Sequence, residues 1–154
     1  MTERPASIWT PSPNFYHGRI KTVSLIVIHA TETEGIESPL SWLCLPTSRV
    51  SSHYLIAPDG VVHHLVHESD IAWHAGVSSW RGQSNVNEFS VGIELVGVNS
   101  YTPAQISACS KLVKCLLKDY SLSVGDVVGH LDIAPGRKTD PACFPWSEFR
   151  DSLA

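Results

Sequence analysis

The chain has 154 residues, of which 43% are apolar and 17% charged, with a formal charge of -4. That length and balance fit one globular domain with a single sizeable core. The negative charge and the absence of any Lys/Arg run argue against a dedicated nucleic-acid binder, and no apolar run approaches the ~20 residues of a membrane span.

Residues 1–19, rich in Pro and polar groups, are expected to form an arm lying on the domain 1–154. They show no basic start followed by an apolar stretch, which argues against a secretory leader and for a cytoplasmic protein. The four cysteines (Cys44, Cys109, Cys115, Cys143) form no C-x-x-C pair and read as reduced thiols. Residues 22–29 are a continuous, β-branched apolar run, predicting a central strand covered on both faces and ending in His29. A short helix is predicted over 37–46, with Ser38 as cap, Pro39 in the first turn and Pro46 as the stop.

Segments 51–57 and 61–66 flank Pro58-Asp59-Gly60, a hairpin signal. Residues 67–89 form a long irregular segment carrying Trp73, His74, Trp80, Arg81 and Asn87, and long loops inside compact domains are usually functional. A strand over 89–96 alternates so that Glu94 faces away from Ile93 and Leu95. Thr102, Pro103 and Gln105 open the clearest helix, whose apolar stripe runs from Ile106 to Tyr120. An extended segment over 124–128 delivers His130, and a helix over 146–153 closes the chain. The order β, α, β, β, β, α, β, α predicts an α/β domain with a central mixed sheet flanked by helices.

Chemistry concentrates in the loop 129–141 (GHLDIAPGRKTDP). His29, His130 and Asp140 make a two-imidazole, one-carboxylate set with room for a fourth ligand. Mixed nitrogen and oxygen donors suit Zn²⁺ better than Mg²⁺ or Ca²⁺. The alternative is a strand-end histidine bonded to backbone and an aspartate capping a turn. Glu94 is either exposed at an edge or a general base, because a carboxylate in an apolar strand is costly to bury alone. Lys138 is either a solvated cation or an oxyanion stabiliser, and Tyr54 either packing or a phenol donor in the site. His53, His63, His64, His67 and His74 compete as ligands; surface or satisfied polar roles fit them better, His74 least so.

Four blocks carry a family resemblance: 52–56 (SHYLI), 72–76 (AWHAG), 89–95 (FSVGIEL) and 129–141. In this order they resemble the type 2 N-acetylmuramoyl-L-alanine amidases, which share their fold with peptidoglycan recognition proteins. The resemblance implies a single-domain zinc hydrolase acting as a monomer on peptidoglycan or muropeptides. The amide between N-acetylmuramic acid, or its 1,6-anhydro form, and L-alanine would be cut. It implies one Zn²⁺ on His29, His130 and Asp140, with Glu94 beside the water and Lys138 near the scissile carbonyl. Tyr54, Trp73, His74, Trp80, Arg81 and Asn87 would then line the groove. Both a cytoplasmic recycling amidase and a phage endolysin fit, as does a recognition module that binds muropeptide without cutting it.

Overall fold

A computed structural model of the protein describes residues 3–154. Its strands are β1 (Ser7–Trp9), β2 (Phe15–Tyr16), β3 (Leu25–Ala30), β4 (Tyr54–Ile56) and β5 (Val62–His64). They continue with β6 (Ile71–Ala72), β7 (Ser79–Trp80), β8 (Gln83–Ser84), β9 (Ser90–Leu95) and β10 (Val127–Gly129). The α-helices are α1 (Glu37–Leu43), α2 (Pro103–Asp119), α3 (His130–Ile133) and α4 (Trp146–Leu153).

Six strands form the central sheet in the order β1-β5-β4-β9-β3-β10. Pairing is parallel throughout except between β4 and β5, the predicted hairpin. The sheet is therefore mixed, as expected. Residues 1–19 were expected to lie on the domain; within them β1 is the outer strand of the sheet and β2 pairs with β6. Arg4 anchors this stretch through Glu68 at 2.7 Å and Asp119 at 2.5 Å.

Strand β3 is buried along its whole length because both faces of the sheet are covered. Ile26 and Ile28 join Val91, Ile93 and Leu95 beneath α2 and α4. Leu25 and Val27 face the other way, onto Val86, Phe89 and Ile133. Burying each such side chain contributes about 1.5–3 kcal/mol, which fixes β3 firmly in the sheet. Strict alternation then sends His29 to the face opposite the long helices.

Helix α2 begins with the predicted capping box: Gln105 N donates to Thr102 Oγ (3.1 Å) and Thr102 N to Gln105 Oε1 (3.2 Å). The Gln105 amide also donates to the Ile56 and Val96 carbonyls, tying the helix to the ends of β4 and β9. Helix α1 starts at Glu37 and carries no side-chain cap, so Ser38 lies inside its first turn instead of capping it.

Candidate active site

Parallel strands end on the same side of a sheet, and ligands of open α/β sheets gather there. Here β3, β9 and β10 run parallel, with His29 opposite Glu94 and Gly129 opposite Ile28. His29 and Glu94 therefore emerge side by side, and His130 follows one residue beyond its strand. Gly129 is needed at that exit, since a Cβ there would sit 2.6 Å from the Leu131 side chain. Its N–H donates to Asp132 Oδ2 (2.8 Å).

The loop after α3 returns Asp140 to the same point. Its carbonyl accepts from Leu131 N (3.0 Å), and its Oδ2 accepts from Ala30 N (3.2 Å). Turn hydrogen bonds from Arg137 N and Lys138 N to the Ala134 carbonyl shape the segment between. His29, His130 and Asp140 are all buried and converge, with one donor atom from each lying within 4.8 Å of the others. The two Nδ1 atoms are 3.0 Å apart. Asp140 approaches His130 Nδ1 at 3.1 Å and His29 Nδ1 at 3.6 Å.

Tetrahedral zinc with bonds of about 2.0–2.1 Å needs donor atoms about 3.3 Å apart, so the three edges match its requirement. Burial lowers the His29 imidazole to about 4, which keeps it neutral and able to offer a lone pair at pH 7. Glu94 stands beside this set, its Oε1 3.9 Å from His29 Nδ1. Its Oε2 is buried without a hydrogen-bond partner among the described residues, a costly arrangement unless something outside the protein engages it. Burial and the neighbouring Asp140 carboxylate push Glu94 up to about 8.

A cavity of about 290 Å³ opens over these groups, and Glu94, Lys138, Trp73 and Trp42 line it. A second, of about 360 Å³, continues it past Trp73 to Arg49, Asn87 and Arg137. Trp73, His74 and Asn87 thus reach the groove as expected, although His74 and Asn87 are largely committed to the protein. His74 Nδ1 lies 2.9 Å from His29 Nε2, and Asn87 Oδ1 accepts from the N–H groups of both His74 and Ala75.

Three expected groove residues are elsewhere. Tyr54 lies on the opposite face of β4, in the core beneath the long helices, with its hydroxyl bonded to Glu68. Its register partner is Ile93, whereas Leu55 is the residue opposite Glu94. Trp80 packs against the Val27–Phe89 core, and Arg81 is drawn away by Asp126 at 2.9 Å. Among the competing histidines, His53 is fully buried, accepting from Gly92 N and contacting the Asp70 carbonyl, while His64 stacks on Tyr54 and His67 on Trp9. Sequence reasoning missed Arg49, which carries no motif signal, and Arg137, which lies in the 129–141 block but was given no role; both line the second cavity.

Comparison with known proteins agrees with this geometry. The family model for N-acetylmuramoyl-L-alanine amidase matches residues 19–143, a span that contains all the residues around the cluster. The 1,6-anhydro-N-acetylmuramyl-L-alanine amidase AmpD of Salmonella typhimurium is 42% identical over 109 residues, which is 69% of this chain and 58% of that protein. The N-acetylmuramoyl-L-alanine amidase AmiD of Escherichia coli is 39% identical over 145 residues, 82% of this chain and 51% of that protein. The chain thus spans between half and three fifths of the length of these relatives.

Among solved structures, a selenomethionine AmpD derivative superposes with a TM-score of 0.87 at 33% identity, covering 96% of this chain and 94% of that one. AmiD in complex with the substrate anhydro-N-acetylmuramic acid-L-Ala-D-gamma-Glu-L-Lys gives 0.80 at 36% identity, covering 84% and 57%. A Clostridium intestinale endolysin amidase, 22% identical, shares the fold with a TM-score of 0.77 over 99% and 98%. With one family model matching residues 19–143, four fifths of the sequence, the chain belongs to the N-acetylmuramoyl-L-alanine amidases.

Proposed function

We propose that this protein is a zinc-dependent amidase that hydrolyses the bond between N-acetylmuramic acid and L-alanine of the stem peptide. The observation that carries the reading is the convergence of two imidazole nitrogens and a carboxylate beside the unpartnered Glu94 oxygen. The family is zinc-dependent in general, and His29, His130 and Asp140 would hold one Zn²⁺. Bound there, zinc would supply Lewis acidity toward the scissile carbonyl and toward water.

The protein's own groups account for the proton traffic. Glu94 accepts the proton of the attacking water and passes it to the departing alanine nitrogen. Lys138, at the cavity wall, offers its ammonium to the tetrahedral oxyanion. Trp73 presents an indole face, and Arg49 and Lys138 set positive charge along the groove, suited to a sugar ring and to stem-peptide carboxylates. The relatives named for 1,6-anhydro substrates support a soluble anhydro-muropeptide as the preferred form.

The test is metal analysis followed by cleavage of anhydro-muramyl tripeptide and of purified sacculi, each with and without chelator. One zinc per chain and chelator-sensitive release of the peptide, faster from the soluble substrate, are expected. Zinc without cleavage of either substrate would instead leave a recognition module.

A further inference from the structure

A metal can take a histidine nitrogen only if that nitrogen carries no proton, so the partner of the opposite ring nitrogen decides whether the site is usable. For His130 the partner is plain: its Nε2 lies 3.1 Å from the Ala75 carbonyl, which can only accept. His130 is therefore Nε2–H, and its Nδ1 is bare. For His29 the partner is itself an imidazole, His74 Nδ1 at 2.9 Å, which can donate or accept. The outcome is settled one step further away. His74 Nε2 meets Ser90 Oγ at 2.9 Å, and Ser90 Oγ lies 2.7 Å from the Val86 carbonyl.

We propose that Ser90 and His74 are positioning residues that set the His29 tautomer for metal binding, an inference that rests on the zinc reading above. Ser90 has one proton and gives it to the Val86 carbonyl, so it accepts from His74 Nε2–H. His74 Nδ1 then accepts from His29 Nε2–H, and His29 Nδ1 faces His130 Nδ1 and Asp140 without a proton. In the opposite sense, Ser90 would donate to His74, and His29 would carry its proton on Nδ1, aimed at His130 Nδ1 3.0 Å away. That arrangement closes the metal position.

Adjacent residues thus control both imidazoles, His74 through its side chain and Ala75 through its carbonyl. Asn87 Oδ1 grips both of their N–H groups, at 3.0 and 2.8 Å. Gly92 makes the arrangement possible, because the His74 ring lies directly on its Cα.

Two measurements test this. Long-range ¹⁵N–¹H correlation spectra of the metal-free wild-type protein should already show His74 and His29 both as Nε2–H. Zinc affinity, from competition with a chromophoric chelator, should fall about 10-fold or more in Ser90→Ala and recover in Ser90→Thr, which keeps the hydroxyl. His74 seen as Nδ1–H in the metal-free protein overturns the proposal, as does unchanged affinity in folded Ser90→Ala. Should Ser90→Ala fail to fold, the wild-type spectrum alone decides. No zinc uptake by the wild-type protein would overturn the zinc reading and this inference together, whereas zinc uptake with the wrong tautomer sinks the inference alone.

Discussion

His29 on β3 and Glu94 on β9 are register partners in adjacent parallel strands, both on the face turned away from α2 and α4. That pairing sets the proposed proton carrier beside the proposed metal position by backbone geometry alone, with no loop rearrangement required. The side chain of Glu94 is only 16% exposed, and one of its oxygens has no partner.

Glu94→Gln keeps the shape and removes the base. Turnover should fall by about 10²–10⁴, the usual worth of a positioned general acid–base group. Zinc stoichiometry should stay at the wild-type value, because Glu94 is not in the converging triad. Loss of zinc in this variant would make Glu94 a ligand and remove it from the proton path.

Lys138 belongs to the exposed part of the 129–141 loop but lines the cavity. Lys138→Ala should retain zinc and fold while reducing kcat by about 10²–10³, as for removal of one oxyanion-stabilising group. Lys138→Arg, which keeps the charge, should recover part of that loss. A zinc-replete Lys138→Ala protein with wild-type kcat would place the lysine outside the mechanism.

The central strand was legible from a strong local signal, whereas the triad was one of two readings of its residues until the family resemblance selected it. Residues 25–30 are uniformly apolar up to His29, and the 129–141 block concentrates polar groups between Gly and Pro. The phase of β4 was not legible, since a three-residue strand can present either face and only its register with β9 shows that Leu55, not Tyr54, faces Glu94. The destination of Arg81 depended on Asp126, over 40 positions away in the chain, and that of Trp80 on the distant core residues Val27 and Val128. His74 was singled out for its setting, and its job behind His29 had one faint trace: Gly92, a small residue between Val91 and Ile93.

Gly92→Ala tests that trace. An added Cβ would lie 2.4 Å from His74 Cγ, closer than such contacts occur, so the ring must leave its place against His29. Overpacking of this kind costs about 1–3 kcal/mol. Zinc affinity should drop about 10- to 100-fold through the displaced His74, read by chelator competition on protein that still melts cooperatively. Wild-type affinity in this variant would show that His29 needs no support from His74.

Acid should unfold the metal-free protein at unusually mild pH. Burial lowers His29 to about 4 and His53 to about 3, and holds His74 well below its ordinary value. In the unfolded chain each titrates near 6.5. The folded state therefore binds fewer protons, and the stability these neutral rings contribute is complete above about pH 6.5 and lost as pH falls. Each ring takes away about 1.4 kcal/mol per pH unit in that window. Glu94 works in the opposite sense: raised to about 8, it stabilises the fold as pH falls through that value toward the ordinary carboxylate range. Three imidazoles against one carboxyl leave a net loss of about 2 kcal/mol per unit on average between pH 6.5 and 5. Urea midpoints at pH 7, 6 and 5 should fall steeply, and His53→Gln should reduce the slope by about one ring's share. Midpoints that stay level over this range would mean that the buried imidazoles already carry protons in the fold.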